Sequence, residues 1–423
     1  MTDDVSPQGA APSPLSRTVN LFLPAAGGTE ALLAEEVQRL TGQAAQAGRG
    51  GVWTPGDGMQ AMQLNLESRL AQRVLWPLVD GPYRDEHDLY DLARRVPWPD
   101  WITPAQTLRV DVNAQASPLR SVNFAALRIK DAVCDVMREA TGERPSVDTR
   151  HPDMPLVLYV GPDHATLFAD TSGEALFKRG WRDAQGGRQD VKGEAPLKET
   201  LAAALLAAAG WQGRAEDGPL LDPCCGAGTI AIEAAQMACG MAPGLQRRFA
   251  FERLLAFRPL LPTWQAMRQA AQARVHPPAV PVFAGDVSFR MTDFAARNAR
   301  RAGVHHAIEF KTGDALQRPA PAAAGVMLLN PPYGERIEAK GVAGVRQASR
   351  EAFEADASSA EFFGGLAAHW KRHYPGWTAW LLSPDRKLPS LMRLKESRRV
   401  PMWNGPIDCR LFRFDLVAGS ARG

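Results

Sequence analysis

Apolar residues follow two different patterns along the chain, and the pattern changes near residue 190. The first half mixes alternating stretches with amphipathic ones, which is typical of small α+β domains. It predicts strands at 19–24, 108–112, 156–160 and 165–169, and helices at 30–40, 61–79, 88–95 and 121–140. Glycines and alternating charges predict a connector over residues 171–193.

The second half alternates apolar strands with helices. The predicted strands are 219–222, 280–286, 308–312, 325–329 and 378–383, followed by an antiparallel pair around Asn404-Gly405. The predicted helices are 197–209, 229–239, 291–301 and 362–373. This alternation indicates an α/β fold, a doubly wound and mostly parallel sheet of seven strands with helices on both faces.

These patterns divide a chain of 423 residues, which exceeds the usual size of one domain, into several units. The predicted units are a disordered tail (1–18), two small α+β domains (19–99 and 100–170), the connector (171–193), the α/β domain (194–417) and a short tail (418–423). The sequence has neither an apolar run of about 18 residues nor the order of a signal peptide, so a cytoplasmic protein is expected.

Cysteine spacing and charge restrict the chemistry further. The five cysteines lack the paired spacing of a zinc site, so neither a metal nor a disulfide is expected. Residues 1–200 carry 21 basic and 27 acidic residues, whereas residues 201–423 carry 28 and 19. The basic second half fits a polyanionic partner, although a solvated surface would give the same balance.

A glycine loop follows the first strand of the second half, where Asp222-Pro223-Cys224-Cys225 leads into Gly226-Ala227-Gly228-Thr229. Its glycines allow a ligand to approach the backbone closely, and the helix that follows offers free amides. A dinucleotide site would need an acidic residue about 20 positions later. An insertion over 241–281 delays the candidate, Asp286. Asp222 favours an ammonium-bearing cofactor over a pyrophosphate, unless it only caps the turn.

Two further carboxylates follow the next strands. Asp286 ends its strand and can accept hydrogen bonds from both hydroxyls of a ribose, whereas Asp314 is placed to accept one from an adenine amino group. Either residue alone is more often a turn former. Together with the glycine loop, the candidate cofactor-binding residues are Asp222, Pro223, Cys225, Gly226, Gly228, Thr229, Asp286, Asp314 and Asn330.

The most specific motif is Asn330-Pro331-Pro332-Tyr333, which follows the strand at 325–329. Prolines have no N–H, so this backbone presents carbonyl oxygens. The Asn330 side chain and the Pro331 carbonyl can accept hydrogen bonds from an exocyclic base amine, and Tyr333 can stack against the base. These four residues are the candidate catalytic residues, with a structural Pro-Pro turn as the alternative.

At this point the chain resembles a known family, the THUMP-domain class I S-adenosylmethionine-dependent RNA methyltransferases. Within it the resemblance is closest to the N-terminal half of the bifunctional large-subunit rRNA guanine-N2 methyltransferases. Besides the two loops above, it is carried by Gly27-Gly28-Thr29-Glu30, residues 125–132, Arg144-Pro145-Ser146-Val147-Asp148, Asp170-Thr171-Ser172-Gly173, Lys178-Arg179-Gly180-Trp181-Arg182, Ala195-Pro196-Leu197-Lys198-Glu199 and residues 404–409. It implies a ferredoxin-like domain, a THUMP RNA-binding domain, S-adenosylmethionine as cofactor and guanine N2 as acceptor.

The sequence departs from the family at Ser288, where a second acid is usual, and in an extra loop over 338–360. A second methyltransferase activity is not expected of this chain. The RNA contacts are expected among Arg120, Arg128, Lys130, Arg144, Arg150, Arg247, Arg248, Arg258, Arg268 and Arg274, each of which could instead be an ordinary solvated charge. The expected substrate is a guanosine of large-subunit (23S) rRNA, with tRNA as the first alternative. The alternatives are a DNA adenine-N6 methyltransferase and a non-catalytic RNA-binding assembly factor.

Overall fold

The computed structural model of the protein describes residues 15–182, 197–331 and 357–417, apart from the side chains of 357–359. The strands in these ranges are β1 (Val19–Pro24), β2 (Gln46–Gly48), β3 (Gly51–Gly56), β4 (Leu75–Pro82), β5 (Thr107–Ala114), β6 (Ser146–Val147), β7 (Met154–Val160), β8 (His164–Asp170), β9 (Leu220–Asp222), β10 (Val282–Asp286), β11 (Ile308–Thr312), β12 (Gly325–Leu329), β13 (Trp377–Ser383), β14 (Arg398–Asn404) and β15 (Ile407–Asp415). The α-helices are α1 (Glu30–Thr41), α2 (Gly58–Glu67), α3 (Glu86–Arg94), α4 (Val122–Thr141), α5 (Glu199–Ala209), α6 (Thr229–Ala238), α7 (Leu261–Ala273), α8 (Phe289–Arg301), α9 (Ala357–His373) and α10 (Leu388–Met392).

The first half forms a single sheet of eight strands in the order β2-β3-β1-β4-β8-β7-β5-β6. The two small domains expected from the sequence meet where β4 pairs antiparallel with β8, from Leu75 opposite Asp170 to Pro82 opposite His164. Strands from both units therefore share one hydrogen-bonded ladder. The domain boundaries themselves stay predictions.

One predicted element of the first half is wrong. A helix was expected over 61–79, but α2 ends at Glu67, and the chain forms β4 from Leu75 onward. Pro77 lacks the N–H that a helix interior requires, and in the sheet it marks a shift of register between β4 and β8. Tertiary pairing thus decides this segment, because its apolar spacing suits both kinds of element.

The second half forms a seven-stranded sheet in the order β11-β10-β9-β12-β13-β15-β14. The pairs among the first five strands are parallel, whereas β15 lies antiparallel to both β13 and β14. Buried side chains cover both faces, since Leu220 belongs to the core shared with α5 and α6, while Leu221 packs in the core formed with α9. The α/β, doubly wound fold predicted from the sequence is confirmed.

The segment over 241–281 joins the two halves. Its Gly244 amide donates to the Leu66 carbonyl at 2.9 Å, and a Cβ on Gly244 would come within 2.8 Å of that oxygen. Phe249 and Phe251 stack with ring centroids 5.4 Å apart. The insertion is therefore a packed part of the interior and includes a helix of its own, α7.

Buried charges also connect the halves through α6. Glu233 is fully buried and accepts hydrogen bonds from Arg179 at 3.0 Å and from Arg69 at 3.4 Å. Arg179 also donates to the Arg69 carbonyl at 2.7 Å. Burial lowers the pKa of the Arg69 guanidinium, an effect that Glu233 opposes. Removing one partner of such a cluster leaves an uncompensated charge in the interior.

In the part of the chain that the structure describes, no helix is both long and apolar enough to cross a membrane.

Candidate active site

The candidate residues of the second half lie side by side at one edge of the sheet. Asp222 on β9 pairs in register with Ala284 on β10, and Asp286 lies two residues further on. On the other side, Leu221 pairs with Met327 of β12, so the loop that starts at Asn330 leaves the sheet beside Asp222. Neighbouring strands are about 4.8 Å apart, which brings the cofactor loop and the Asn-Pro-Pro-Tyr loop together.

The row continues with Asp314. Asp286 pairs with Thr312 of β11, and Asp314 follows two residues later. The carboxyl ends of four adjacent strands therefore carry, in order, Asp314, Asp286, Asp222 and Asn330. In open α/β sheets this edge, where the strand order changes direction, is the usual place for a ligand.

Asp222 is a buried carboxylate, 1 % exposed. In the described ranges its one hydrogen bond comes from the Cys224 amide at 3.3 Å. Burial raises the pKa of Asp222 to about 8, nearby Asp286 also raises it, and the Cys224 amide and Arg318 act in the opposite direction. A carboxyl group in this state is stabilised in its charged form by a ligand that brings a positive charge.

Asp286 and Asp314 hold the loops around them. Asp286 accepts hydrogen bonds from the amides of Gly226 at 3.0 Å and Ser288 at 2.9 Å, while Asp314 accepts from the Leu316 amide at 2.9 Å. Each carboxylate oxygen has a second lone pair, so these bonds leave acceptor capacity for a ligand's hydroxyl or amino groups.

The glycine loop leaves open space at one glycine and is tightly packed at the other. A Cβ on Gly226 would have no atom within 4 Å, whereas a Cβ on Gly228 would lie 2.9 Å from Ala295 of α8. Both glycines have positive φ, +50° and +83°. Gly226 thus lines a space that a ligand can fill, and Gly228 sets the close packing of α6 on α8.

Two groups that support this loop were missed by sequence reasoning. Arg182, from the connector, donates a hydrogen bond to the Thr229 hydroxyl and pairs with Glu199 at 2.8 Å. Burial raises the pKa of Glu199 to about 7, and Arg182 opposes the shift. Arg318 lies beneath the loop and donates to the Ala284 carbonyl at 3.0 Å. The bonds of Arg182 to Thr229 and of Arg318 to Ala284 join residues 47 and 34 positions apart, which no local pattern reveals.

Asn330, the acceptor predicted from the sequence, directly follows β12. Its Oδ1 is buried and accepts no hydrogen bond from the described residues. Buried polar atoms usually have a hydrogen-bond partner, so this oxygen is a candidate contact for a ligand. Pro331 is buried beside it, whereas Pro332 and Tyr333 lie outside the described residues.

Three families match consecutive parts of this chain. Residues 20–75 match the RlmL ferredoxin-like domain, residues 83–170 the THUMP domain, and residues 186–413 the RMKL-like methyltransferase domain. The chain belongs to the RMKL-like methyltransferase family. The resemblance seen in the sequence is thereby confirmed, and so is S-adenosylmethionine as the cofactor of the family.

Curated relatives and solved structures agree with this family. The chain is 35 % identical over 95 % of its length to a ribosomal RNA large subunit methyltransferase K/L of Shewanella amazonensis, and 34 % identical over 94 % to that of Psychromonas ingrahamii. It covers 54 % and 50 % of those proteins, so it spans about half the length of the curated relatives it matches.

The crystal structure of SMU.472, assigned as a methyltransferase and complexed with SAH, has a TM-score of 0.81 and 25 % identity and covers 95 % of this chain and 99 % of that one. A Listeria monocytogenes protein described as an N6-adenine-specific DNA methylase has a TM-score of 0.78 and 27 % identity, over 95 % of this chain and 97 % of that one.

The structure corrects one expected RNA contact. Arg247 is only 8 % exposed, and its guanidinium donates to backbone carbonyls of the segment 172–178. It therefore stabilises the connector from the interior instead of facing a phosphate. The other candidates stay predictions, and those exposed to solvent are Arg120, Arg144, Arg150, Arg248, Arg258 and Arg274, the last of which pairs with Glu67.

The remaining candidates are half-buried. Arg128 lies over the Tyr90 ring at 4.7 Å, Lys130 pairs with Asp131 at 2.6 Å, and Arg268 donates to the Leu245 carbonyl at 3.0 Å.

Proposed function

We propose that this chain is an RNA methyltransferase that transfers a methyl group from S-adenosylmethionine to the exocyclic N2 amine of a guanosine in large-subunit rRNA in the cytoplasm. The observation that carries the proposal is the buried Oδ1 of Asn330, which has no hydrogen-bond partner among the described residues. Asn330 begins the loop that leaves the sheet beside Asp222. An acceptor for an amine and a carboxylate for a cationic cofactor thus stand on adjacent strands.

The carboxylates provide the cofactor site in this proposal. Asp222 binds the ammonium group, because its buried carboxyl is mostly protonated at neutral pH and a positive group close to it stabilises the charged form. Asp286 accepts hydrogen bonds from the ribose hydroxyls, and Asp314 accepts one from the adenine amine. Pro223, Cys225, Gly226, Gly228 and Thr229 form the loop that carries the rest of the cofactor.

The Asn-Pro-Pro-Tyr loop orients the acceptor. Bound S-adenosylmethionine supplies a methyl group that is already electrophilic. An exocyclic amine is a weak nucleophile, since its lone pair is delocalised into the ring. Hydrogen bonds from this amine to the Asn330 oxygen and the Pro331 carbonyl favour a pyramidal nitrogen that points its lone pair at the methyl group. In-line positioning of this kind can lower a barrier by about 7–11 kcal/mol.

The THUMP match over residues 83–170 supports RNA over DNA as the substrate. The names of the curated relatives support large-subunit rRNA over tRNA. Guanine N2 rests on the sequence resemblance, and the same acceptor geometry would suit adenine N6.

Deletion of the gene, followed by mass spectrometry of nucleosides from separately purified rRNA and tRNA, tests the proposal. Loss of N2-methylguanosine from large-subunit rRNA, restored by the intact gene and not by an Asn330→Ala gene, is the expected result. Loss of a methylated adenine, or unchanged nucleosides, would contradict the assignment.

A further inference from the structure

The edge of the sheet that carries the acidic residues continues beyond Asn330 onto basic ones. Past β12 come β13, β15 and β14, and Ser383 at the end of β13 pairs with Arg410 of β15. At this end of β13 and of the β14–β15 hairpin, three basic residues lie with two acidic ones, namely Arg386, Lys387 and Arg410 with Asp385 and Asp408. The edge therefore has carboxylates on the side proposed for the cofactor and a small surplus of positive charge beyond the amine acceptor.

Two arginines converge on one carboxylate there. Arg386 donates to Asp408 at 2.8 Å, and Arg410 pairs with the same carboxylate. Hydrogen bonds from Arg410, and next from Arg386, lower the pKa of Asp408, so the group is one anion between two cations. A guanidinium has five N–H donors, and Arg386, with a side chain 65 % exposed, uses one of them on Asp408. The remaining donors and the surplus positive charge suit a phosphate.

An exposed aromatic ring completes this group. Trp403 is the cross-strand partner of Asp408, so their side chains lie on the same face of the β14–β15 hairpin. The indole is 37 % exposed. We call Arg386, Trp403, Asp408 and Arg410 the hairpin cluster.

The hairpin cluster borders the N-terminal half. The Trp403 amide donates to the Gly27 carbonyl at 3.1 Å, and a Cβ on Gly28 would lie 2.5 Å from the Pro401 oxygen. An open hollow of about 510 Å³ lies at this contact, lined by Gly27, Gly28, Glu30, Trp403 and Gly405. Glu30 would repel a phosphate but can accept a hydrogen bond from a base, so the hollow suits the base of a nucleotide.

We propose that the hairpin cluster binds a nucleotide of the substrate RNA adjacent to the methylated one, with the base stacked on Trp403 and the phosphate held by Arg386 and Arg410. The proposal rests on the function proposed above. Arg410 is on the second strand beyond β12 and Trp403 on the third, about 10 and 14 Å away at the usual strand spacing. These separations are of the order of one to two nucleotides along a single strand, so a base held at Asn330 and a nearby base in the hollow can belong to the same RNA segment.

Arginine variants of the full chain test the phosphate contact. The probe is a fluorescent, unmethylated transcript of large-subunit rRNA, and its Kd is measured by anisotropy between about 50 and 200 mM salt. Arg386→Gln is expected to weaken binding about tenfold, as for the loss of one charge-assisted hydrogen bond. The slope of log K against log salt should fall by about 0.7, the value for one phosphate contact on a single strand.

Arg413→Gln is the control, since Arg413 is a half-exposed arginine paired with an aspartate on β15, but its side chain is on the other face of the hairpin and lies toward the other end of the strands. It should keep the unsubstituted Kd and slope. An equal loss in both variants would mean a diffuse electrostatic effect and would overturn the phosphate site.

Tryptophan variants test the stacking contact. Trp403→Ala is expected to weaken RNA binding about 5- to 160-fold, the range for one lost base–aromatic stack, and Trp403→Phe should restore most of it. Calorimetry of SAH binding checks that the proposed cofactor site is intact in each variant. If Trp403→Ala no longer binds SAH, the test of the hairpin cluster rests on Arg386→Gln. Unchanged RNA affinity in Arg386→Gln and Trp403→Ala would overturn the inference even if rRNA is methylated. Failure of the proposed function would give a different result. The unsubstituted chain would then methylate no rRNA guanosine, whatever the RNA affinity of its variants.

Discussion

The charge state of Asp222 gives the sharpest prediction. Because burial raises its pKa to about 8, about 1 % of the carboxyl groups are ionised at pH 6 and about a quarter at pH 7.5 in the ligand-free protein. Only the ionised form pairs with an ammonium group. Between these two values of pH the affinity for SAH, which carries this ammonium group, should therefore rise about 25-fold.

Asp222→Asn removes the titrating group while keeping its size. Isothermal calorimetry of SAH binding at several pH values should show weak binding that changes little with pH in this variant, in contrast to the steep rise in the unsubstituted protein. A Kd for the unsubstituted protein that stays constant from pH 6 to 7.5 would refute the assignment of Asp222 as the ammonium partner.

The same shift predicts an opposite trend for stability without the cofactor. A carboxyl group whose folded pKa lies above its unfolded value of about 4 holds its proton more tightly in the folded state, so its contribution to stability is present at low pH and is lost as pH rises toward 8. Asp222→Asn should therefore gain stability relative to the unsubstituted protein by about 1.4 kcal/mol per pH unit between pH 5 and 7. Urea denaturation at each pH measures the difference, and a difference independent of pH would contradict the buried, uncompensated carboxyl.

Three further substitutions separate the parts of the site. Asn330→Ala should abolish methyl transfer and leave the Kd for SAH unchanged, because Oδ1 is assigned to the acceptor; normal turnover would exclude this role. Gly228→Ala should abolish SAH binding, since its Cβ would lie 2.9 Å from Ala295 at positive φ, whereas Gly364→Ala, with no atom within 4 Å, should bind normally. Glu233→Gln should lower the free energy of unfolding by about 3–5 kcal/mol, measured in urea, because two buried arginines lose their anion; a loss below about 1 kcal/mol would contradict the importance of this cluster.

The sequence was most informative where local rules operate. Strands β9 to β13 are short, and their predicted bounds lie within two residues of those observed. The candidate carboxylates and Asn330 could be proposed for the same reason, since each lies at the end of such a strand or within two residues of it. Parallel pairing then brings them to one edge without any further information from the chain.

Tertiary contacts explain what the sequence could not predict. Pro77 belongs to a strand only because β8 pairs with it, and the hairpin β2–β3 is too short and too rich in glycine to show a period. The sequence does not distinguish Arg247 from an arginine on the surface. Only the backbone carbonyl groups that accept its hydrogen bonds identify it as an interior residue. Likewise, nothing near Thr229 in sequence indicates that Arg182 supports it.

The pairing of β4 with β8 has a consequence for how the enzyme would select its substrate nucleoside. The first half is one continuous eight-stranded sheet, about 34 Å across at the usual strand spacing. The buried ion pairs around Glu233 connect it to the second half. With RNA as the proposed substrate, we expect such an enzyme to select a nucleoside by its distance and angle from the RNA region bound to the first half. Moving that region by one base pair should then change which nucleoside is methylated.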